Sequence, residues 1–158
     1  MSGFAVAILG LALCMILCGT GSALALFKTG SAASGVCSED PKKFSKVFIL
    51  AVLPATQGIY GFVVALIGIS SLSMDMEMAQ HRCADFQPLH NRNGRMAALP
   101  MTIVGFISAY FQGRTSVSAI QAVAKEDSVS GKLMLFPAMV ETYAILSLVI
   151  SIMLYGAL

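Results

Sequence analysis

One acidic residue stands alone in a long apolar segment of the chain. Between Leu133 and Leu158 the only charged side chain is that of Glu141. Placing an acid near the centre of a membrane helix costs about 2.5–3.5 kcal/mol on insertion scales, so such an acid normally has a partner or a function. A structural explanation would pair it with a basic residue, for which Arg114 is the candidate. The functional explanation is an ion or proton site, which is the usual role of a carboxylate inside a bilayer.

Two glutamines are expected at about the same depth in the membrane as this acid. Gln57 lies eleven residues after Lys46, and Glu141 lies nine residues after Lys132. Gln112 lies thirteen residues before Lys125. At 1.5 Å per helical residue, all three lie about 14–20 Å from basic residues on one side of the membrane. The polar side chains of three helices are therefore predicted to share one level.

A proline-containing segment adds further oxygen atoms near this level. By the i, i+3, i+4, i+7 spacing, one helix face carries Leu53, Thr56, Gln57 and Tyr60. Pro54 removes one backbone donor, which leaves a carbonyl oxygen free to coordinate a cation. A carboxylate, two amide oxygens, a hydroxyl and a carbonyl form an oxygen-only set, which suits hard cations, and a single negative charge suits a monovalent one. Na⁺ is therefore predicted, whereas H⁺, which needs only the carboxylate, stays open as an alternative.

The elements that must hold these residues are predicted to be four membrane-spanning helices. Of the 158 residues, 57% are apolar and only 11% are charged, against about 25% charged in soluble domains. Apart from Glu141, charged residues are absent from the segments 3–26, 48–73, 97–112 and 133–158. A helix needs about 20 mostly apolar residues to cross a bilayer, so the fold class is all-α membrane. A cleaved signal peptide is the alternative for the first segment, but no basic residues precede it.

The two halves, residues 1–73 and 95–158, read as parallel copies of one helical hairpin within a single membrane domain. Helices 2 and 4 both carry a Pro-Ala pair shortly before a polar residue. Helix 1 carries small residues at intervals of four, among them Cys14 and Cys18, for which metal binding is the alternative to packing. Parallel hairpins with small-residue faces suit lateral packing into a homo-oligomeric ring, and a self-contained four-helix bundle is the alternative.

Lysine and arginine side chains predict how the chain is oriented in the membrane. Seven lie near the two hairpin loops: Lys28, Lys42, Lys43, Lys46, Arg114, Lys125 and Lys132. Three lie between the hairpins: Arg82, Arg92 and Arg95. By the positive-inside rule, the hairpin loops face the cytoplasm and both termini lie outside.

The sequence shows no catalytic machinery of its own. It contains no Gly-Lys-Ser/Thr phosphate-binding loop and no nucleophile–base pair, so any nucleotide chemistry is expected to belong to a partner. The basic residues are dispersed anchors of the loops, which argues against nucleic-acid binding.

Three segments of the chain resemble the proteolipid rotor subunits of V-type ATPases. They are Leu-Pro-Ala-Thr-Gln-Gly-Ile-Tyr-Gly (53–61), Phe-Gln-Gly-Arg (111–114) and Met-Val-Glu-Thr-Tyr-Ala-Ile-Leu (139–146). The likeness is greatest to the bacterial sodium-translocating members and extends over nearly the whole chain. It implies a bacterial cytoplasmic membrane and a ring of copies that turns against a stator membrane subunit. ATP hydrolysis in a separate soluble head would drive the ring through central-stalk subunits.

The resemblance also implies roles for individual residues. Those that it assigns to the ion are Leu53 (through its carbonyl), Thr56, Gln57, Gln112 and Glu141. Tyr60 is expected to hydrogen-bond the carboxylate and to close the site. The rival functions are a proton-carrying rotor, a small four-helix drug/proton antiporter, and a structural or pore-forming membrane protein.

The segment from Ser73 to Arg95 departs from this resemblance, because it is longer and more charged than expected. It contains His81, Cys83 and His90. A Cys/His metal site is one interpretation and a solvated external loop is the other, and the spacing fits no standard metal motif.

Overall fold

The computed structural model describes residues 3–81 and 97–156, with side chains for residues 7–72 and 97–156. Within these ranges the chain forms helices joined by short turns, and no strands. The α-helices are α1 (Gly3–Glu39), α2 (Phe44–Val52), α3 (Thr56–His81), α4 (Leu99–Lys125), α5 (Ser130–Leu133) and α6 (Leu135–Gly156). Short 3₁₀ turns occupy Pro41–Lys43, Leu53–Ala55 and Asp127–Val129.

The helices form two hairpins that pack side by side. The first consists of α1 and the continuous path of α2 and α3, and the second of α4 and the path of α5 and α6. The most extensive contact joins α1 to α4. Helix α3 packs against both of these helices, and α6 packs against α4 and α3. The predicted all-helical architecture of two hairpins is therefore confirmed.

In the parts of the chain that the structure describes, three helical segments are long and apolar enough to cross a membrane: Ala7–Glu39, Pro41–Leu72 and Asp127–Gly156. The fourth long helix, α4, is less apolar because it carries Gln112, Arg114 and several hydroxyls. Four polar residues of α4, namely Thr102, Ser108, Gln112 and Ser116, are buried, whereas large apolar side chains of all the long helices point outward. An apolar exterior around a polar interior is the distribution expected of a protein surrounded by lipid and by neighbouring copies.

Glycines bring the helix backbones close together at the contacts of α1. A Cβ atom on Gly61 would lie 2.5 Å from the Cβ of Cys18, and one on Gly113 would lie 2.7 Å from the Cβ of Ala25. Real Cβ atoms do not approach this closely, so only glycine fits at both positions. Cys14 and Cys18 are fully buried in an apolar cluster, where they fill space between helices.

The two hairpin turns share one local design, in keeping with the predicted duplication. Asp40 (φ −139°, ψ 96°) and Glu126 (φ −137°, ψ 104°) each precede a 3₁₀ turn in an extended conformation. The Asp40 carboxylate accepts a hydrogen bond from the Lys42 N–H (3.1 Å), and the Glu126 carboxylate accepts one from the Ser128 N–H (3.4 Å). Hydrogen bonds from the Ser128 hydroxyl and N–H lower the pKa of Glu126, because they stabilise its ionised form.

Contacts between the two turns fasten the hairpins together. The Lys46 ammonium lies 2.5 Å from an Asp127 carboxylate oxygen, and the Lys43 ammonium donates to the Ala124 carbonyl at 2.8 Å. Beneath these contacts a buried apolar cluster joins α2 to α4 through Val47, Leu50, Ala51, Ala119, Ile120 and Val123. The turns of both hairpins therefore form one continuous surface.

The two interpretations of the Ser73–Arg95 segment stay predictions. Helix α3 runs on to His81, while Cys83 and His90 lie outside the described residues. In the part of the chain that the structure describes, no three His, Cys, Asp or Glu side chains are grouped as a metal site would require.

We predict that Gly61→Ala destabilises the folded chain, because the added Cβ would overlap with Cys18. Overpacking of this kind costs about 1–3 kcal/mol. The measurement is the temperature at which half of the detergent-solubilised protein leaves its size-exclusion peak. Gly131→Ala is the matched control, since a Cβ there meets no atom within 4 Å. Equal midpoints for the two variants would contradict the close contact.

Candidate ion-binding site

The turn around Pro54 interrupts the path from α2 to α3. Proline has no N–H, so one helical hydrogen bond is missing at this point. The backbone tightens into the 3₁₀ turn Leu53–Ala55, in which the Thr56 N–H bonds to the Leu53 carbonyl. The Thr56 hydroxyl also donates to that carbonyl at 3.0 Å and lies 3.4 Å from Oε1 of Gln57. The proline therefore gathers three of the predicted ligand oxygens into one short segment.

Two buried glutamines connect this turn to the acid. Gln57 on α3 and Gln112 on α4 are both fully buried, and the Gln57 amide donates to Oε1 of Gln112. The Gln112 amide in turn lies 3.4 Å from Oε2 of Glu141 on α6. Polar side chains from three helices thus meet at one level, as the residue spacing predicts.

Tyr60 completes the cluster from the next turn of α3. Its hydroxyl donates to Oε1 of Glu141 at 2.8 Å, so each carboxylate oxygen has a donor beside it. An ionised carboxylate has only acceptors, and this arrangement suits it. The structure therefore brings together all the residues predicted for the site: Leu53, Thr56, Gln57, Tyr60, Gln112 and Glu141.

The cluster is closed on the side of the glutamines and more open on the side of the acid. Gln57 and Gln112 have no exposed surface, whereas Glu141 is partly exposed. Its neighbours along α6 point outward, and the side chain of Tyr143 is 67% exposed. An ion or another charged group could therefore reach the carboxylate from outside the bundle, while the amides form the floor of the site.

Arg114 does not serve as the partner of the acid. Its guanidinium lies 5.9 Å from the centre of the Tyr110 ring, and the Lys28 ammonium lies 4.7 Å from the same ring. Among the described residues the one ion pair joins Lys46 to Asp127, in the turns. The structural explanation of Glu141 as half of a buried ion pair with Arg114 is therefore not supported.

Three hydroxyls to which the sequence analysis assigned no role at the site hold the backbone beside it. Ser22 of α1 donates to the Pro54 carbonyl at 2.7 Å, and Thr29 of α1 donates to the Ala51 carbonyl at 2.8 Å. Ser108 of α4 donates to the Val140 carbonyl at 3.2 Å, directly before the acid. A usable signal was the spacing of Ser22 and Thr29, which are seven residues apart and therefore on one helix face.

Comparison with known proteins gives two matches to one family within the chain. Residues 9–68 and residues 96–154 each match the family of the C subunit of ATP synthase. The chain is 39% identical over 152 residues to the V-type sodium ATPase subunit K of Enterococcus hirae, covering 96% of this chain and 91% of that protein. It is 33% identical over 145 residues to the A-type ATP synthase subunit K of Methanocaldococcus jannaschii, covering 92% of this chain and 59% of that protein.

We predict that Tyr60→Phe makes Glu141 react faster with a hydrophobic carbodiimide, which attacks protonated carboxyl groups. The carboxylate loses one hydrogen-bond donor. The free energy of an interhelical hydrogen bond corresponds to a change of roughly 3- to 10-fold in an equilibrium constant, and we expect the labelling rate to rise by that factor. The measurement is the rate of labelling at fixed pH in detergent. Tyr143→Phe removes an exposed hydroxyl two residues from the acid and should leave the rate unchanged. If Tyr60→Phe also labels at the wild-type rate, Tyr60 does not cover the carboxylate.

Proposed function

The chain belongs to the family of the ATP synthase C subunit, and on that premise we propose that it carries Na⁺ across the membrane on Glu141. It is a proteolipid of the membrane rotor ring of a V- or A-type ATPase, and it is not catalytic by itself. The single observation that carries the ion site is the meeting of the acid with two buried glutamines and the Pro54 turn.

The donor atoms favour Na⁺ over H⁺. A proton needs one carboxylate oxygen, whereas this cluster also contains amide, hydroxyl and carbonyl oxygens, which a chain of contacts through Gln57 and Gln112 connects to the acid. Oxygen sets of this kind suit hard cations. The similarity to a V-type sodium ATPase subunit supports the same ion. A rotor that carries H⁺ on Glu141 is the alternative.

In the proposed mechanism the bound ion neutralises the acid. Na⁺ is held by the Leu53 carbonyl, by the side chains of Thr56, Gln57 and Gln112, and by Glu141. Tyr60 closes the site through its hydrogen bond to the carboxylate. A neutral, coordinated site can pass through lipid at low cost, whereas an empty ionised one cannot. A site can therefore rotate through the lipid only while it holds an ion.

Release requires a competing positive charge. We place this charge on a basic side chain of a stator membrane subunit, which meets the partly exposed carboxylate as the ring turns past it. The displaced ion leaves through one half-channel, and the emptied site refills from the other after rotation. Central-stalk subunits of the ATPase would meet the joined turns of the two hairpins, which we orient toward the cytoplasm by their lysines.

We predict that Glu141→Gln abolishes Na⁺ transport and leaves the ring assembled. Glutamine keeps the size of the side chain but lacks the charge that balances the ion. The measurement is ATP-driven ²²Na⁺ uptake into vesicles that contain the whole ATPase, with ring size checked by native mass measurement. Thr20→Val, which removes an exposed hydroxyl that bonds to the Leu17 carbonyl of its own helix, should transport normally. Uptake at the wild-type rate by Glu141→Gln would refute the assignment of the carboxylate.

We predict that Na⁺ protects Glu141 from a hydrophobic carbodiimide at fixed pH and that K⁺ does not. A coordinated carboxylate is not available for protonation, and a site built around Na⁺ does not fit the larger ion. The measurement is the labelled fraction of wild-type rings as each salt is titrated, with Glu141→Gln as the unlabelled control. If labelling follows pH alone, the carried ion is H⁺ and the glutamines are hydrogen-bond partners only.

A further inference from the structure

Helix α1 contributes none of the proposed ligands, yet two of its hydroxyls bond to the backbone of the neighbouring helix, one within the Pro54 turn and one just before it. The Ser22 hydroxyl donates to the Pro54 carbonyl (2.7 Å), within the 3₁₀ turn, and the Thr29 hydroxyl donates to the Ala51 carbonyl (2.8 Å), just before it. Both hydroxyls are buried, Ser22 at 5% and Thr29 at 0% exposed. The two bonds therefore bracket the segment that carries the Leu53 carbonyl.

These bonds are not the ones that hydroxyls in helices ordinarily make. Serines and threonines in helices commonly bond to a carbonyl of their own preceding turn, as Ser31 does with Phe27 (2.8 Å). The Thr29 hydroxyl lies 3.2 Å from such a carbonyl, that of Leu26, but closer to Ala51 on the neighbouring helix. Ser22 and Thr29 are thus directed across the helix interface.

The contact at the turn is also tight. A Cβ atom on Gly58, one residue beyond Gln57, would lie 3.3 Å from Cβ and Oγ of Ser22. Helix α3 therefore packs closely against α1 directly after the ligand segment, and the same serine bonds to the Pro54 carbonyl within that segment.

In the second hairpin, a similar hydrogen bond between helices lies directly beside the acid. Ser108 of α4, which is 5% exposed, lies with its hydroxyl 3.2 Å from the Val140 carbonyl. Val140 directly precedes Glu141 in α6. In each hairpin, a buried hydroxyl of the first helix thus holds the backbone of the second helix beside a ligand.

We propose that Ser22, Thr29 and Ser108 are positioning residues that set the cation affinity of the site, an inference that rests on the proposed function. Around Pro54 the backbone lacks one of its own hydrogen bonds, so without the hydroxyls the turn samples other arrangements. The apparent affinity falls in proportion to the fraction of chains in the binding arrangement. The hydroxyls keep this fraction high.

The experiment measures the Na⁺ concentration that half-protects Glu141 from a fluorescent hydrophobic carbodiimide in intact rings. Thr29→Val removes the hydroxyl and keeps the shape of the side chain, whereas Thr29→Ser keeps the hydroxyl. Ser22→Ala removes the second bond. Ser31→Ala is the control on the same helix, because that hydroxyl bonds only within α1. Rings of each variant are first checked for wild-type size by native mass measurement.

We expect the half-protecting Na⁺ concentration to rise about 3- to 10-fold in Thr29→Val and Ser22→Ala, the range for a lost interhelical hydrogen bond. Thr29→Ser and Ser31→Ala should stay near the wild type. Unchanged values in Thr29→Val and Ser22→Ala, with intact rings, would overturn the inference.

Failure of the sodium proposal would be visible separately, since wild-type rings would then show no protection by Na⁺. In that case the same variants are compared by the pH at which half of Glu141 is labelled. A displaced midpoint in Thr29→Val but not in Thr29→Ser supports positioning by the hydroxyl, and identical midpoints overturn it.

Discussion

A carboxylate inside a bilayer must be neutralised or hydrogen-bonded wherever it meets hydrocarbon, and much of this chain is arranged to satisfy that requirement. Tyr60 and Gln112 place donors on the two oxygens of Glu141. Gln112 is itself buried and needs a partner, which Gln57 supplies. These side chains can meet only because the helix backbones come close together, and Gly61 and Gly113 permit that approach along α1. The small residues of the helix contacts are therefore a condition of the polar cluster.

The level of the site could be predicted from the sequence, because the rise of a helix converts residue counts directly into depth. Counting from the lysines was enough to bring Gln57, Gln112 and Glu141 together. Which side chain faces which neighbour is not fixed by depth, since it depends on the rotation of each helix and on its contacts. For this reason Ser22, Thr29 and Ser108 read as ordinary small residues of membrane helices. The sequence likewise could not show that Arg114 turns toward Tyr110 and away from the acid.

The composition of α4 shows where hydropathy fails as a guide. A helix packed against others can carry hydroxyls and an amide at little cost where those groups find partners inside the bundle, as Thr102, Ser108 and Gln112 do. Helix α4 carries such groups, and it is less apolar than the helices against which it packs. The charge-free segment 97–112 identified this helix in the sequence, whereas its mean hydropathy does not. The charge-free length was the better signal because charge, unlike a hydroxyl, is rarely satisfied within a bundle.

The two hairpins differ at a position that sets how many ions the proposed motor carries in each revolution. Both hairpins keep the same turn design. Counted from the Pro-Ala pair that both carry, however, the first has the neutral Gly58 where the second has the charged Glu141. A full revolution therefore delivers one ion per chain, where two acids would deliver two. For a given number of ATP molecules hydrolysed per revolution, the free energy is divided among half as many ions. Each ion can then be driven against a concentration difference whose logarithm is about twice as large, at the expense of throughput.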